Sequence, residues 1–194
     1  MLIAFNKPYG VLCQFTGDGS PNRPLSVFGF PPNVYSLGRL DADSEGLLLL
    51  SDEPDLNTRL LRPERGHARE YWAQVERVPS GEALRQTEQG VMIQGRKTLP
   101  CRAWILDPQP DLPERVPPIR RRKTVPTCWV AIELMEGKNR QVRRMTAAIG
   151  HPTLRLARVR IGGFRLGDLP PGRWRVLAGT ERDRVIGGSA RDRA

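Results

Sequence analysis

Two clusters in the sequence combine residue types and spacing suited to chemistry. The first is Gly38-Arg39-Leu40-Asp41-Ala42-Asp43-Ser44-Glu45-Gly46, set between the apolar stretches Val34 to Leu37 and Leu47 to Leu50. A carboxylate on a loop at a strand end is held at the surface by the sheet behind it. Gly38 and Gly46 permit close approach of a ligand or a second backbone. Arg39 offers a planar cation able to engage phosphate or stack on a base. The same residues also suit a plainer arrangement, with Asp41 as a turn or cap residue and Arg39 paired to Asp41 or Asp43 on the surface. The second cluster is Lys138-Asn139-Arg140-Gln141-Val142-Arg143-Arg144-Met145. On a helix, Arg140 and Arg144 stand one turn apart with Arg143 adjacent, while Val142 and Met145 anchor the opposite side. Such a face can grip a phosphate backbone or hold a buried carboxylate ionised; a solvated basic face is the alternative.

Charge favours a polyanionic partner. The 194 residues carry 31 Lys plus Arg against 21 Asp plus Glu, a formal net charge of +10, so the surface has a net positive field. Arg155, Arg158, Arg160, Arg165, Arg173 and Arg175 extend the basic character downstream, interleaved with Phe164 and Trp174, a composition that favours nucleic acid. Other chemistries lack their signatures. There is no phosphate-binding glycine loop ending in Lys-Ser/Thr, and His67 and His151 are lone residues that read as loop or packing positions. Cys13, Cys101 and Cys128 are too far apart for a zinc spacing and are expected to be buried, reduced thiols, so no metal is expected. No run is long enough to cross a bilayer and no signal-peptide plan opens the chain, so a cytoplasmic location is expected.

The elements that must position these residues alternate between strand and helix. Strands are expected over Leu2 to Phe5, Val11 to Phe15, Val34 to Leu37, Leu47 to Leu50, Tyr71 to Val75, Leu99 to Leu106, Cys128 to Leu134, Leu154 to Ile161 and Trp174 to Leu177. Helices are expected after Asp52, with Leu56, Leu60 and Leu61 inward; after Pro79-Ser80, ending near Gly90; and after Asn139 as cap, ending at Gly150. In the 128 to 134 strand, Cys128, Val130, Ile132 and Leu134 form an apolar face, and Trp129, Ala131 and Glu133 a half-polar one. Asp107 to Pro118 is proline-rich, leads into Arg120-Arg121-Arg122-Lys123 and reads as an exposed loop. From Gly179 to Ala194 the composition is that of a disordered tail, which leaves residues 1–178 as one folding unit of mixed α and β structure.

The ordered motifs resemble a known family. Gly38 through Leu50 and Asn139 through Met145 are similar to two signatures of the RsuA-type ribosomal pseudouridine synthases, and Lys7-Pro8-Tyr9-Gly10 is similar to their opening motif. Leu154-Arg155-Leu156-Ala157-Arg158 and Pro171-Gly172-Arg173-Trp174-Arg175 fit as well, so the resemblance covers about residues 2 to 177. Pro117 through Lys123, followed by Pro126-Thr127-Cys128-Trp129, resembles the large-subunit branch of that family called E, and a leading S4-type module is not expected. There are two departures. Arg69 stands where the family commonly has Lys, two residues before Tyr71, and Ser44 stands where Thr is usual.

The resemblance implies an α+β fold with a mixed, mainly antiparallel sheet, flanking helices and a central active-site cleft. It implies isomerisation of a uridine to pseudouridine in large-subunit (23S) ribosomal RNA, without a cofactor, by a chain expected to be a monomer. Asp41 would carry the chemistry, Arg143 would keep it charged, and Tyr71 would pack on the uracil. Arg39 would fill the gap left by the flipped base. Arg120, Arg121, Arg122, Lys123, Lys138, Arg140, Arg144 and Arg158 are the expected RNA contacts. Competing classes are a non-catalytic RNA-binding assembly protein and a synthase directed at transfer RNA.

Overall fold

The computed structural model describes residues 1–61, 67–119 and 124–187. It forms two compact units, Met1–Arg69 with Ala157–Ala194, and Glu70–Leu156. Both mix strands with short helices, so the fold is α+β.

In the first unit, strands lie in the order β11 (Trp174–Leu177), β1 (Leu2–Lys7), β3 (Glu45–Ser51) and β9 (Thr153–Ile161). Strand β1 runs antiparallel to both β11 and β3. Strand β9 begins in the second unit and ends in this one. The short β2 (Tyr35–Leu37) pairs antiparallel with β3, and β10 (Phe164–Arg165) folds back on β9. Strand β3 reads Glu-Gly-Leu-Leu-Leu-Leu-Ser and is buried at every position, because successive side chains point to opposite faces and both faces are covered. On one face Leu47 and Leu49 pack with Leu2, Ala4, Leu56 and Leu60, the last two from helix α1 (Pro54–Leu61). Phe5, also fully buried, packs tilted against Phe28 and edge-on against Phe30, with ring centroids 4.8 and 5.1 Å away. The β3–β9 pair is parallel, with Glu45 opposite Ala157 and Gly46 opposite Arg158.

Two expectations change at this point. Val11 to Phe15 is not a strand. Gly10 and Val11 instead lead a loop whose backbone bonds to Arg23 and Leu25, with a single bridge at Val11. The expected disordered tail begins instead with a helix, α4 (Gly179–Ile186). Its Val185 is fully buried in the Leu2–Leu47 core, and Arg182 grips Glu53 with two bonds of 2.7 and 2.8 Å. Alternating charge disguised a helix that docks through Val185 and Ile186 and through two bidentate ion pairs, Arg182 with Glu53 and Arg175 with Glu181. Residues 188–194 lie outside the described residues.

In the second unit, β4 (Arg69–Glu76), β8 (Thr127–Leu134) and β7 (Arg102–Ile105) lie side by side, with β7 antiparallel to β8. Helix α2 (Gly81–Glu88) packs on β7, and its N-cap Ser80 accepts a bond from the Ala83 amide, as its sequence predicts. Strand β8 is buried on both faces beyond its exposed first residue, Thr127: besides the expected apolar face, Trp129 and Ala131 are inside, and Glu133 is half-exposed. The expected 99–106 strand is shortened to β7. A hairpin precedes it, β5 (Met92–Ile93) and β6 (Arg96–Lys97), which turns on Gln94 and Gly95 at φ +48 and +76°. Helix α3 (Gln141–Ala148) buries Val142 and Met145, as their spacing requires, and Gly150 closes it at φ +82°. Asn139 does not cap it. Arg140 occupies the cap position with φ +50°, and the Gln141 side chain reaches back to the Lys138 amide. Among the described residues, no helix is long and apolar enough to cross a membrane.

Candidate active site

In the first unit, the loop from β2 to β3 carries Arg39 and Asp41. Gly38 turns the chain at φ +76°, a conformation that costs a residue with a Cβ ~1–2 kcal/mol. Three backbone contacts then fasten the loop. The Leu40 amide donates to Cys13 Sγ at 3.2 Å, the Ser44 amide donates to the Asp41 carbonyl at 3.0 Å, and the Gly10 amide donates to the Ala42 carbonyl at 2.8 Å. Asp41 is half-buried on this pinned backbone, and Arg39 next to it is exposed. The loop ends where Gly46 meets β9. A Cβ there would lie 2.3 Å from the Arg158 carbonyl oxygen, and φ is +97°, so the close approach requires glycine.

Beneath this loop lies the first residue of the Lys7-Pro8-Tyr9-Gly10 motif, to which no role was assigned from the sequence. Lys7 is completely buried, and its Nζ donates to the carbonyls of Pro8 and Val11 at 3.1 and 2.8 Å. Burial pushes its ammonium down from 10.5 to about 8, opposed by the negative fields of Cys13, Glu45, Asp43 and Asp41. A lysine at the end of the apolar strand Leu-Ile-Ala-Phe-Asn-Lys, immediately before Pro, was the available signal. The stem of such a residue enters the core with the strand, and its head needs carbonyls to satisfy it.

In the second unit, Tyr71 lies on β4 at 9 % exposure and Arg143 lies on α3, half-buried, with Nη1 donating to the Thr153 carbonyl at 3.3 Å. Lys138 and Arg140 are exposed on the turn before α3. Two of the expected RNA contacts make bonds within the fold. Arg144 bonds to Asn139 Oδ1 at 2.9 Å, to the Asn139 carbonyl and to Gln94 Oε1, so its guanidinium braces the turn against the hairpin. Arg158 is only 4 % exposed and donates Nε to the Leu47 carbonyl at 2.8 Å, because its side chain points into the sheet layer where β9 runs beside β3. Arg120, Arg121, Arg122 and Lys123 lie outside the described residues. Arg69, the departure from the family pattern, donates to the Leu60 carbonyl at 3.1 Å. The three cysteines are free, with only Cys128 fully buried; burial pushes the half-buried Cys101 thiol up to about 12. No cluster of His, Cys, Asp and Glu among the described residues could hold a metal ion.

The arrangement is therefore a carboxylate on a rigid loop in one unit, and an aromatic hydroxyl with a cationic helix in the other. Comparison with known proteins points the same way. Residues 1–148 match the family model described as RNA pseudouridylate synthase. The chain is 52 % identical over 172 residues to the ribosomal large subunit pseudouridine synthase E of Xanthomonas axonopodis pv. citri, covering 88 % of this chain and 90 % of that protein. It is 33 % identical to the dual-specificity RNA pseudouridine synthase RluF of Escherichia coli, covering 93 % of this chain and 56 % of that protein. A solved structure titled as a crystal structure of pseudouridylate synthase superposes with a TM-score of 0.78 at 25 % identity, over 95 % of this chain and 73 % of the other. With the glycine-bounded Asp41 loop, the basic α3 and the α+β frame all inside this correspondence, the chain belongs to the RNA pseudouridylate synthase family and is an isomerase.

Proposed function

We propose that the protein converts a specific uridine of large-subunit (23S) ribosomal RNA to pseudouridine in the cytoplasm. The observation that carries the choice of substrate is the 52 % identity, over nine-tenths of both chains, to a relative named for the large ribosomal subunit. The reaction breaks the bond from ribose C1′ to uracil N1 and forms one from C1′ to C5. The proton on C5 leaves to solvent, and N1 takes up a proton. The base must turn without escaping, so the carboxylate that assists it has to be held still. Asp41 is the proposed catalytic carboxylate, acting either as a nucleophile or by removing a ribose proton; the three backbone bonds of its loop support that assignment. Arg143 is the cation that keeps this carboxylate ionised in a dry site, and Tyr71 stacks against the uracil.

A uridine inside a folded stem must be flipped out, at a cost of a few kcal/mol. Exposed Arg39, two residues before Asp41, takes the place of the base in the stack. Lys138 and Arg140 then contact the phosphate backbone. In the test, Asp41→Asn is incubated with in vitro transcribed 23S RNA carrying uridine tritiated at C5. It is expected to bind the RNA with wild-type affinity and release no tritium above background. Wild-type release from this variant would refute the assignment. The resemblance to a relative named as a dual-specificity RNA pseudouridine synthase favours a second RNA substrate, and the same assay on tritiated transfer RNA tests one candidate.

A further inference from the structure

We propose that the β5–β6 hairpin and the turn before α3 form one braced basic ridge that grips the phosphate backbone of the RNA, with Lys97, Lys138 and Arg140 as its contacts. This rests on the reading that the chain acts on RNA, and adds to the Lys138 and Arg140 contacts a hairpin that the sequence did not suggest.

A hairpin of two two-residue strands has no stability of its own, yet this one is tied down on every side. Ile93 is buried, and β5 packs on α3. The Thr98 amide donates to the Val91 carbonyl, and the Thr98 hydroxyl accepts from the Val91 amide, both at 3.0 Å. At the tip, Gln94 accepts from Arg144, which also holds Asn139 of the neighbouring turn. At the base, Glu136 accepts from the Leu99 amide at 2.9 Å and from the Gln141 side chain at 2.6 Å, and lies 3.5 Å from Arg96. Burial pushes the Glu136 carboxyl up, but these donors outweigh it and hold the group below its usual range, so it stays charged. Gln141 in turn holds the Lys138 amide at 2.9 Å. Hairpin and turn are thus joined by two polar struts, Arg144 above and Glu136 below.

What the struts present outward is cationic. Apart from none at all in 137–150, acidic residues are also missing from 89–99, and the one carboxylate of the brace, Glu136, is 7 % exposed. Arg96 shares its charge with that carboxylate, and Lys97, Lys138 and Arg140 are exposed on the braced backbone. A ridge that served only to cover α3 would carry mixed signs, as solvated surfaces do. Cations carried on a braced backbone suit a polyanion. Bracing that backbone beforehand reduces the ordering entropy that binding must otherwise supply.

The test uses the full chain and an unmodified in vitro transcript of 23S RNA. Filter binding over a salt series and tritium-release kinetics are compared for wild type, Lys97→Glu, Lys138→Glu and Arg85→Glu. Arg85, exposed on α2, matches the change in charge away from the ridge. Each ridge variant is expected to flatten the salt slope by about 0.9, the amount for one lost duplex phosphate contact. KM should rise several-fold with kcat unchanged, and Arg85→Glu should keep the wild-type slope. A wild-type slope and KM in Lys97→Glu would overturn the proposal, as would an equal loss in Arg85→Glu, which would make net charge the whole effect. If the wild-type chain binds this RNA with the expected slope but releases no tritium, the substrate assignment fails while the ridge stands as an RNA contact.

Discussion

The buried Lys7 gives the most demanding prediction. Its ammonium is removed from water and satisfied by two carbonyls, and its pKa falls from 10.5 to about 8. At about 1.36 kcal/mol per pH unit this is ~3 kcal/mol of destabilisation whenever the group is charged in both states. The sign follows from proton counting. The unfolded chain keeps this proton up to 10.5 and the folded one only to about 8, so the unfolded state binds more protons between those values. Stability from this group is therefore lowest below pH 8 and rises as pH climbs toward 10.5. Lys7→Met removes the dependence. Urea unfolding of both proteins at pH 7 and pH 9.5 should give a stability difference that shifts by about 2 kcal/mol in favour of the wild type at the higher pH. Taking the difference cancels groups common to both proteins, including Cys101, whose raised thiol pKa works in the opposite direction above its ordinary value. A difference that stays constant across this range would refute the account of Lys7 as a buried, charged lysine. Tritium release should also fall in Lys7→Met, because the Pro8–Val11 turn that the ammonium holds is bonded through Gly10 to Ala42, next to Asp41.

Two further variants probe the same loop. Gly46→Ala places a Cβ 2.3 Å from the Arg158 carbonyl oxygen and 2.8 Å from its nitrogen, at φ +97°. Neither atom can move without breaking the β3–β9 pair, so strain and overpacking together should cost at least ~3 kcal/mol, and a thermal melt within a degree or two of wild type would contradict this. Ser44→Ala should behave in the opposite way: Ser44 Oγ is buried with no hydrogen-bond partner among the described residues. Removing it should change stability by no more than ~1 kcal/mol in either direction, and a loss above ~2 kcal/mol in urea unfolding would mean that the hydroxyl is bonded.

Strand and helix positions were legible wherever apolar periodicity was strong. The Leu47–Leu50 run, the alternation of β8 and the Val142–Met145 stripe of α3 all fold as their patterns require. The misses arise where local pattern is weak or pairing is decided elsewhere in the chain. Val11 to Phe15 has the composition of a strand but no edge to pair with beyond one bridge. Helix α4 has little apolar content and docks through Val185 and Arg182, whose partners are some 130 residues away in the case of Glu53. The β5–β6 hairpin is too short for any period, and its Gln-Gly turn is a weaker signal than Asn-Gly. At the site, the glycine-bounded loop marked Asp41; Lys7 and Gln141 fell within recognised motifs, but their roles, like that of Glu136, lie in burial and were not legible from pattern.

The same distinction governs how the chain's positive charge should be interpreted. A net charge of +10 suggests a surface crowded with RNA contacts, yet many of the arginines act as internal hydrogen-bond donors. Arg158 binds a strand carbonyl, Arg155 bonds to the Pro113 carbonyl and lies over the Trp129 ring, Arg144 ties a turn to a hairpin, and Arg182 fastens α4 to Glu53. The planar, multiply donating guanidinium suits these positions, where a lysine would satisfy fewer acceptors. Lysine behaves differently among the described residues. Lys97 and Lys138 are both exposed, while Lys7 is buried beneath the Asp41 loop. Recognition of RNA by this chain should therefore depend less on its total charge than on a few fixed cations. Neutralising buried arginines should reduce stability before it reduces the salt dependence of RNA binding.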